Sequence, residues 1–323
     1  MVVPVAEPLP DIVNSVLANP GLHSKAAIGA VVGTGGAWST DWISGPGDDG
    51  AVLDAGGATV VACGEAILPA FVAADPHGAG FAAVLTNVND LAAMGAIPLG
   101  IVDTVAAPEP VARAIMAGLR EACDLYRVPL VGGHLTLHDG APALSAFGIG
   151  NAPNPLSVTR ARPGQTLVVA AALEGEARTD FPFFPAFRER GTRCADDVRL
   201  PARLAADGLC VAAKDISMAG LLGSLAMLLE CGGLGVTVDL EVVPAPPGVP
   251  LTWWLNCFPS YGFLLCVPSG KEDACVAAFA ERGLAAAPVG TLDGSGELAV
   301  SAHGTRLPVL HVDELPVTGL PRP

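Results

Sequence analysis

The chain has 323 residues, 51% of them hydrophobic and 5% aromatic, and its 32 acidic and 17 basic side chains give a formal net charge of −15. That length supports about two domains with buried cores, and the composition excludes a disordered or fibrous chain. The acidic balance disfavours nucleic acid and anionic lipid at long range, but a nucleotide stays open because a carboxylate-held divalent cation can carry the phosphate contacts.

In chain order, residues 11–32 read as helical with a loop near Pro20 and Gly21, and a glycine-rich segment, GTGGAWSTDWISGPGDDGAVL, follows. ATVVACGEAIL (58–68) opens as a β-branched strand, residues 80–96 form a helix interrupted or capped around Asn87 and Asn89, and PLGIVDTVA (98–106) suits a buried strand. Residues 109–127 give the clearest helix, with Val111, Ile115, Leu119, Cys123 and Tyr126 on one stripe. VPLVGG and PALSAFGIG add two strands, so the first layer is helices on a mixed sheet ending near residue 155.

The turn-rich segment 150–165 marks a boundary, and the strand TLVVAAAL opens the second half. Residues 174–200, including FPFFPAF, are poorly patterned and fit a loop, a short helix or a lid. KDISMAGLLGSLAMLLECGG (214–233) is the central helix, with Asp215 or Ser217 able to cap it and Gly232 or Gly233 able to stop it. GVTVDL, YGFLLCVP and APVGTL are strands and EDACVAAFAERG a helix, so this half also reads α+β.

Cysteines 63, 123, 194, 210, 231, 257, 266 and 275 form no CxxC pair and sit mostly in apolar runs, which predicts buried free thiols in a reducing compartment. The opening MVVPVAEPLPD has neither a basic start nor a long apolar stretch, and no run elsewhere suits a membrane span, so a cytoplasmic location is expected.

Several residues carry chemistry. Asp48 and Asp49, after Gly45, Pro46 and Gly47, offer adjacent hard oxygen ligands for Mg²⁺, although a bare GDDG also makes a turn. Asp90 is by itself a plausible helix cap, and Lys214 beside Asp215 reads as a phosphate contact, a salt bridge or a cap. Glu65 and Asp103 have a claim from their positions at strands. Trp253, Trp254 and Tyr261, like Trp38 and Trp42, suit a stacked substrate ring or a core or interface equally. No Walker A sequence, dinucleotide fingerprint or zinc-spaced Cys/His group occurs.

Five segments in one order carry a family resemblance: GPGDDGAVL (45–53), NVNDLAAMGAIPLGIV (87–102), VGGHLT (131–136), TRARPGQTLVV (159–169) and KDISMAGLLGSLAMLLECGGLG (214–235). Together they resemble the aminoimidazole ribonucleotide synthetase-like (PurM-like) superfamily, which includes thiamine-monophosphate kinase, selenophosphate synthetase and the hydrogenase maturation dehydratase. The resemblance implies a two-domain α+β fold. Residues 1–155 would be a mixed-sheet ATP/Mg-binding and dimerisation domain, and residues 160–323 an α+β domain. It implies a homodimer that binds Mg²⁺ and ATP and phosphorylates or ATP-activates a small metabolite. The alternatives are an ATP-driven cyclo-ligase or dehydratase and a non-catalytic nucleotide or metabolite binder.

Carried over position by position, the metal set would be Asp48, Asp49, Asp90 and Asp215, with Glu65 replacing an aspartate after a one-residue shift. Gly47, Asp48, Asp49, Asn87, Asn89, Gly132, Gly133, Thr136 and Lys214 would contact the nucleotide, and Asp90 and His134 would be the catalytic candidates. The departures are informative. His134 stands where the family loop reads GGDT or GGET, and imidazole is a poor ligand for Mg²⁺, so a general base, a substrate contact or an inert loop residue stay open. His138 and Asp139 lie just beyond it. Met218 replaces an expected carboxylate after Asp215, which argues against thiamine-monophosphate kinase activity; Pro259 and Ser260 replace an acidic pair, and the acidic positions missing around Met218, His134 and Ser260 favour the non-catalytic alternative.

Overall fold

A computed structural model describes residues 5–32, 44–45 and 47–320, so Trp38, Trp42 and Pro46 lie outside the described residues. The chain divides into an N-terminal unit, Asp49–Pro155 with Gly191–Arg203, and a C-terminal unit, Leu156–Arg190 and Leu204–Pro323 with Met1–Asp48. The opening residues thus join the second half of the chain, whereas the sequence assigned them to the first. Helices α1 (Leu9–Leu17), α2 (Pro20–Lys25) and α3 (Ala27–Val32) explain why. Between α1 and α2, Asn19 Nδ2 donates to the Ala219 carbonyl at 3.2 Å and to Asn256 Oδ1 at 3.0 Å, while the Gly29 amide donates to the Thr318 carbonyl at 2.7 Å.

The N-terminal unit is built from β1 (Ala51–Asp54), β2 (Thr59–Ile67), α4 (Pro69–Ala74), α5 (Pro76–Ala93), β3 (Ile97–Ala107), α6 (Glu109–Tyr126), β4 (Leu130–Leu137) and β5 (Ala143–Asn151). Its sheet has the order β1-β2-β5-β3-β4. Only β3 and β4 pair in parallel, because α6 supplies the crossover that parallel neighbours need. Alternation divides the sheet into two faces. Leu144, Ala146, Gly148 and Gly150 of β5 are buried towards the helices, whereas Phe147 is 45% exposed on the other face.

Helix α5 runs unbroken through Asn87 and Asn89, where the sequence suggested an interruption. The reason is local satisfaction of a buried amide. Asn87 Nδ2 donates to the Ala83 carbonyl one turn back at 2.8 Å and to Ala146 on β5 at 3.2 Å, and its Oδ1 accepts from the Cys63 thiol at 3.2 Å. In α6 the apolar stripe is as expected from Ile115 to Tyr126, with Ala112 buried at its start and Val111 only half-buried.

The C-terminal unit contains β6 (Thr166–Ala171), β7 (Phe183–Phe184), α7 (Phe187–Arg190), then, after α8 (Cys194–Asp197) of the N-terminal unit and α9 (Leu200–Ala206), β8 (Ala212–Asp215) and α10 (Gly220–Gly232). It continues with β9 (Val236–Asp239), α11 (Leu251–Asn256), β10 (Phe258–Pro259), β11 (Gly262–Val267), α12 (Glu272–Ala280), β12 (Ala285–Thr291), β13 (Glu297–Ala302) and β14 (Thr305–His311). Strands assemble as an antiparallel sheet β12-β6-β11-β8, a sheet β14-β13-β9 and a ribbon β10-β7. Helix α10 begins after Ala219 with no side-chain cap, so neither Asp215 nor Ser217 caps it, and Gly233 ends it at φ 60°. All eight cysteines are free and buried.

Two glycines set how closely α5 and α6 approach. A Cβ on Gly118 would lie 2.0 Å from the His77 carbonyl oxygen, and one on Gly80 would lie 2.2 Å from that of Ile115. Both obstacles are helix backbone, so neither can move without parting the helices. Gly118→Ala is therefore expected to destabilise the protein by about 2–3 kcal/mol, at the upper end of overpacking costs despite the gain in helix propensity, and urea titration followed by circular dichroism measures it.

Candidate functional site

The two adjacent carboxylates of the GDDG segment meet different fates. Asp48 is held by the C-terminal unit: its Oδ2 accepts from Ser157 Oγ at 2.6 Å and from the Gly45 amide at 3.0 Å, and its Oδ1 accepts from the Val158 amide at 2.7 Å. It thereby fastens the start of the helical turn Val158–Arg160, a task that the sequence reading, which made it a metal ligand, missed. The available signal was the Ser-Val-Thr run at 157–159, whose hydroxyls favour such caps. Gly47 precedes Asp48 at φ 97°, a left-handed backbone that glycine adopts without strain.

Asp49 belongs to the N-terminal unit and brings a carboxylate oxygen within 4.8 Å of one from Asp90 on α5. Asp90 is buried and Asp49 half-buried. Two carboxylates this close repel unless a cation or a proton intervenes, and hard oxygen donors of this kind suit Mg²⁺. The field of the pair reaches Cys63 on β2, whose thiol is pushed well above its ordinary value by burial first and then by the negative charge of Asp90, with smaller contributions from Glu65 and Asp49. Glu65 is not among the described residues whose carboxylate oxygens gather with those of Asp49 and Asp90. The sequence assigned Asn87 and Asn89 to phosphate contacts. Asn87 is engaged on both sides of its amide, by Ala83 of its own helix, Ala146 of β5 and Cys63 of β2, and Asn89 is buried in the same helix.

The VGGHLT strand is β4, at the edge of the sheet and exposed along most of its length. His134 pairs with Thr104, which pairs with Ser145, placing all three on the open face, opposite to the helix that carries Asp90. His134 Nε2 lies 3.3 Å from Thr136 Oγ1. Within this unit the structure does not bring His134 to the Asp49–Asp90 pair. The paired glycines also differ. Gly132 has open space around it, whereas a Cβ on Gly133 would come 2.4 Å from the Asp103 carboxylate, which lies beside it on β3.

Asp215 ends β8 in the C-terminal unit, buried, with Lys214 Nζ 3.7 Å from its Oδ1. Met218, three residues on, is 44% exposed. Of the aromatic candidates, Trp254 and Tyr261 are core: the Trp254 indole donates to the Pro244 carbonyl at 2.9 Å, and Tyr261 packs edge-on against Phe263. Ser260 is buried too, its hydroxyl accepting from the Ala186 amide at 2.8 Å.

Two family descriptions match the chain, AIR synthase related protein N-terminal domain over residues 47–152 and C-terminal domain over residues 185–303. An uncharacterized protein of Synechocystis sp., sll0787, is 32% identical over 277 residues, covering 84% of this chain and 86% of its own. The thiamine-monophosphate kinase of Rhodopirellula baltica is 31% identical over 216 residues, 62% of this chain and 65% of the kinase. In fold, the chain is similar to T. maritima PurL complexed with ADP, with a TM-score of 0.73 at 19% identity over 88% of this chain. It spans about half, 48%, of that PurL chain. This protein belongs to the AIR synthase-related family and has its two-domain, PurM-like α+β architecture. Among the described residues, no helix is long and apolar enough to cross a membrane.

Burial raises the Asp103 carboxyl above its usual range, against a smaller opposing effect of its own backbone amide. The folded state thus favours the protonated form, and the stability this contributes is full below about pH 3.9 and lost as pH rises through the folded value. Asp103→Asn is expected to leave the Tm nearly unchanged at about pH 4 and to raise it at about pH 7.5, as read by differential scanning fluorimetry across that range.

Proposed function

We propose that this protein binds Mg-ATP at the Asp49–Asp90 carboxylates and uses it to phosphorylate, or activate as a phosphate ester, a small metabolite. The observation that carries the reading is the close approach of those two carboxylates at one end of α5, inside the region that matches the AIR synthase-related N-terminal domain. The fold neighbour complexed with ADP and the thiamine-monophosphate kinase relative support the nucleotide assignment. Asp215 is proposed as a further ligand from its place in the KDIS segment, and Lys214 as a phosphate contact. Bound Mg²⁺ would supply charge neutralisation along the triphosphate, which together with positioning accounts for most of the catalysis in phosphoryl transfer. The acceptor oxygen would attack the γ-phosphorus, the bond to the β–γ bridging oxygen would break with its electron pair leaving on ADP, and the acceptor proton would pass to solvent or a base. His134, on the open face of the sheet, is proposed as a substrate or partner contact.

Calorimetric titration tests the reading. ATP should bind in the presence of Mg²⁺, and Asp90→Asn or Asp49→Asn should weaken binding by roughly tenfold or more, on the scale of a lost charged contact. Asp48→Ala should instead lower the stability of the ligand-free protein by about 1–2 kcal/mol, as loss of a capping carboxylate does. Absence of ATP binding to the folded wild type, with or without Mg²⁺, sinks the assignment. With substrate, ADP plus a phosphorylated product marks a kinase, and ADP plus free phosphate with a cyclised or dehydrated product marks a cyclo-ligase or dehydratase.

A homodimer through the open sheet face is also proposed. That face carries Phe147, 45% exposed, with its ring over Gly64, while the edge strand β4 carries Val131, 58% exposed, against Gly100. Apolar groups of this size gain stability on burial. Phe147→Glu with Val131→Lys should convert a dimer into a folded monomer in light scattering after size exclusion, and a wild type that is already monomeric at micromolar concentration refutes it.

A further inference from the structure

The segment between β6 and α7, part of the poorly patterned stretch 174–200, forms half of a small aromatic surface. Strand β7 pairs in parallel with β10, so Phe183 stands beside Phe258 and Phe184 beside Pro259. Alternation then sends the two members of each strand to opposite sides. Phe184 is fully buried and meets Trp254 edge-on at 5.3 Å, which anchors the ribbon. On the outer side, the Phe183 ring lies 5.2 Å from Phe258 at 30° and 6.4 Å from Phe187 at 29°. Three half-buried rings therefore form one row, each tilted by about the same angle to its neighbour.

The row is held before any ligand arrives. The Phe258 amide donates to the Pro182 carbonyl at 2.8 Å, the Ser260 amide to that of Phe184 at 2.9 Å, and the Ala186 amide to Ser260 Oγ at 2.8 Å. Its place in the unit is also informative. β6 and β8 both run antiparallel to β11, and Gly262 at the start of β11 pairs with Ala171 at the end of β6, while Phe263 pairs with Asp215 at the end of β8. The segments after β6, after β8 and before β11 thus gather at one end of this sheet, and they carry the ring row, Asp215 and the exposed Met218. Arg188 follows Phe187 directly, is exposed, and makes no ion pair or hydrogen bond among the described residues. In a chain with 32 acidic and 17 basic residues, an uncompensated arginine beside an aromatic row suits an anion attached to a ring. Arg178, by contrast, is already engaged by Asp180 at 2.6 and 2.9 Å.

We propose that Phe183 and Phe258 form the platform on which this protein stacks the planar heteroaromatic ring of its acceptor, with Arg188 contacting an anionic group of the same molecule. The proposal deepens the phosphoryl-transfer reading and rests on it for the word acceptor, but the platform itself is read independently of nucleotide. Stacking tolerates many rings because every flat ring offers a π face, so simple probes suffice.

The test is saturation-transfer NMR with thiamine monophosphate, AMP and ribose 5-phosphate, each with and without saturating Mg-ADP, on wild type, Phe183→Leu/Phe258→Leu and Arg188→Gln. The proposal expects the ring protons of the two heteroaromatic probes to receive saturation from wild type with Mg-ADP present, well above the signal of ribose 5-phosphate. It also expects the double leucine variant to weaken ring binding by about tenfold, the order of one lost base–aromatic stack. Arg188→Gln should weaken thiamine monophosphate while leaving thiamine, measured as the phosphate-free control, unaffected. Three results overturn it: no ring probe exceeding ribose 5-phosphate on wild type, ring binding abolished by Mg-ADP, which would assign the platform to the adenine of the nucleotide, or a change of oligomeric state in the leucine variant, which would make the row a protein interface. Failure of Mg-ADP to bind, with ring binding intact, would refute the Mg-ATP site and leave the platform standing. Equal thermal stability of the leucine variant and wild type excludes loss of fold as the cause.

Discussion

Helix α5 must bury amides and a carboxylate against a sheet, and the N-terminal unit is organised around that requirement. An unpartnered amide in such a place costs about 1–3 kcal/mol, and Asn87 avoids the cost by bonding within its own helix, to β5 and to the Cys63 thiol. These bonds fix the rotation of α5 about its axis. That rotation is what turns Asp90, three residues on, to the position where its carboxylate meets Asp49. Glycines at 148 and 150 of β5 leave the room, since a Cβ at either would press on Leu91 at 3.1 Å.

Close approach is the second recurring device. Gly80 and Gly118 let α5 and α6 touch backbone to backbone, and Gly133 leaves space for the buried Asp103 carboxylate. In the C-terminal unit, Gly21 lies against the Met218 carbonyl, where a Cβ would come within 2.1 Å, so the opening helices stay on the turn that follows Asp215. A glycine-rich composition that reads as loops in the sequence is in good part a composition for dense packing.

The carboxylates illustrate how similar residues separate by partner. Asp48 is surrounded by an amide, a hydroxyl and a second amide, and acts as a cap. Asp49 faces another carboxylate. Asp103 is buried, and burial raises its carboxyl above the usual carboxylate range. Cys63, at the edge of this acidic region, is correspondingly resistant to ionisation. Carboxylates gathered in this way repel one another, and the hard oxygens they offer are of the kind that suits a divalent cation.

The order of motifs determined the family and the two-part α+β organisation: GDDG leads into β1, NVND lies in α5, GGH in β4 and KDIS at the end of β8, in one chain order. Periodicity determined α6 and the core of α10, where apolar spacing is dense enough to outweigh other signals. Tertiary structure decided the rest. The opening helices α1 to α3 joined the C-terminal unit because Asn19 and Gly29 find carbonyls there, and no local pattern announces such distant partners. Which of Asp48 and Asp49 would be a cap, which face of β4 His134 would take, and which aromatic rings would be core or surface all depend on register and long-range hydrogen bonds. Neither composition nor spacing encodes these directly, since a shift of one residue along a strand reverses the face on which a side chain stands.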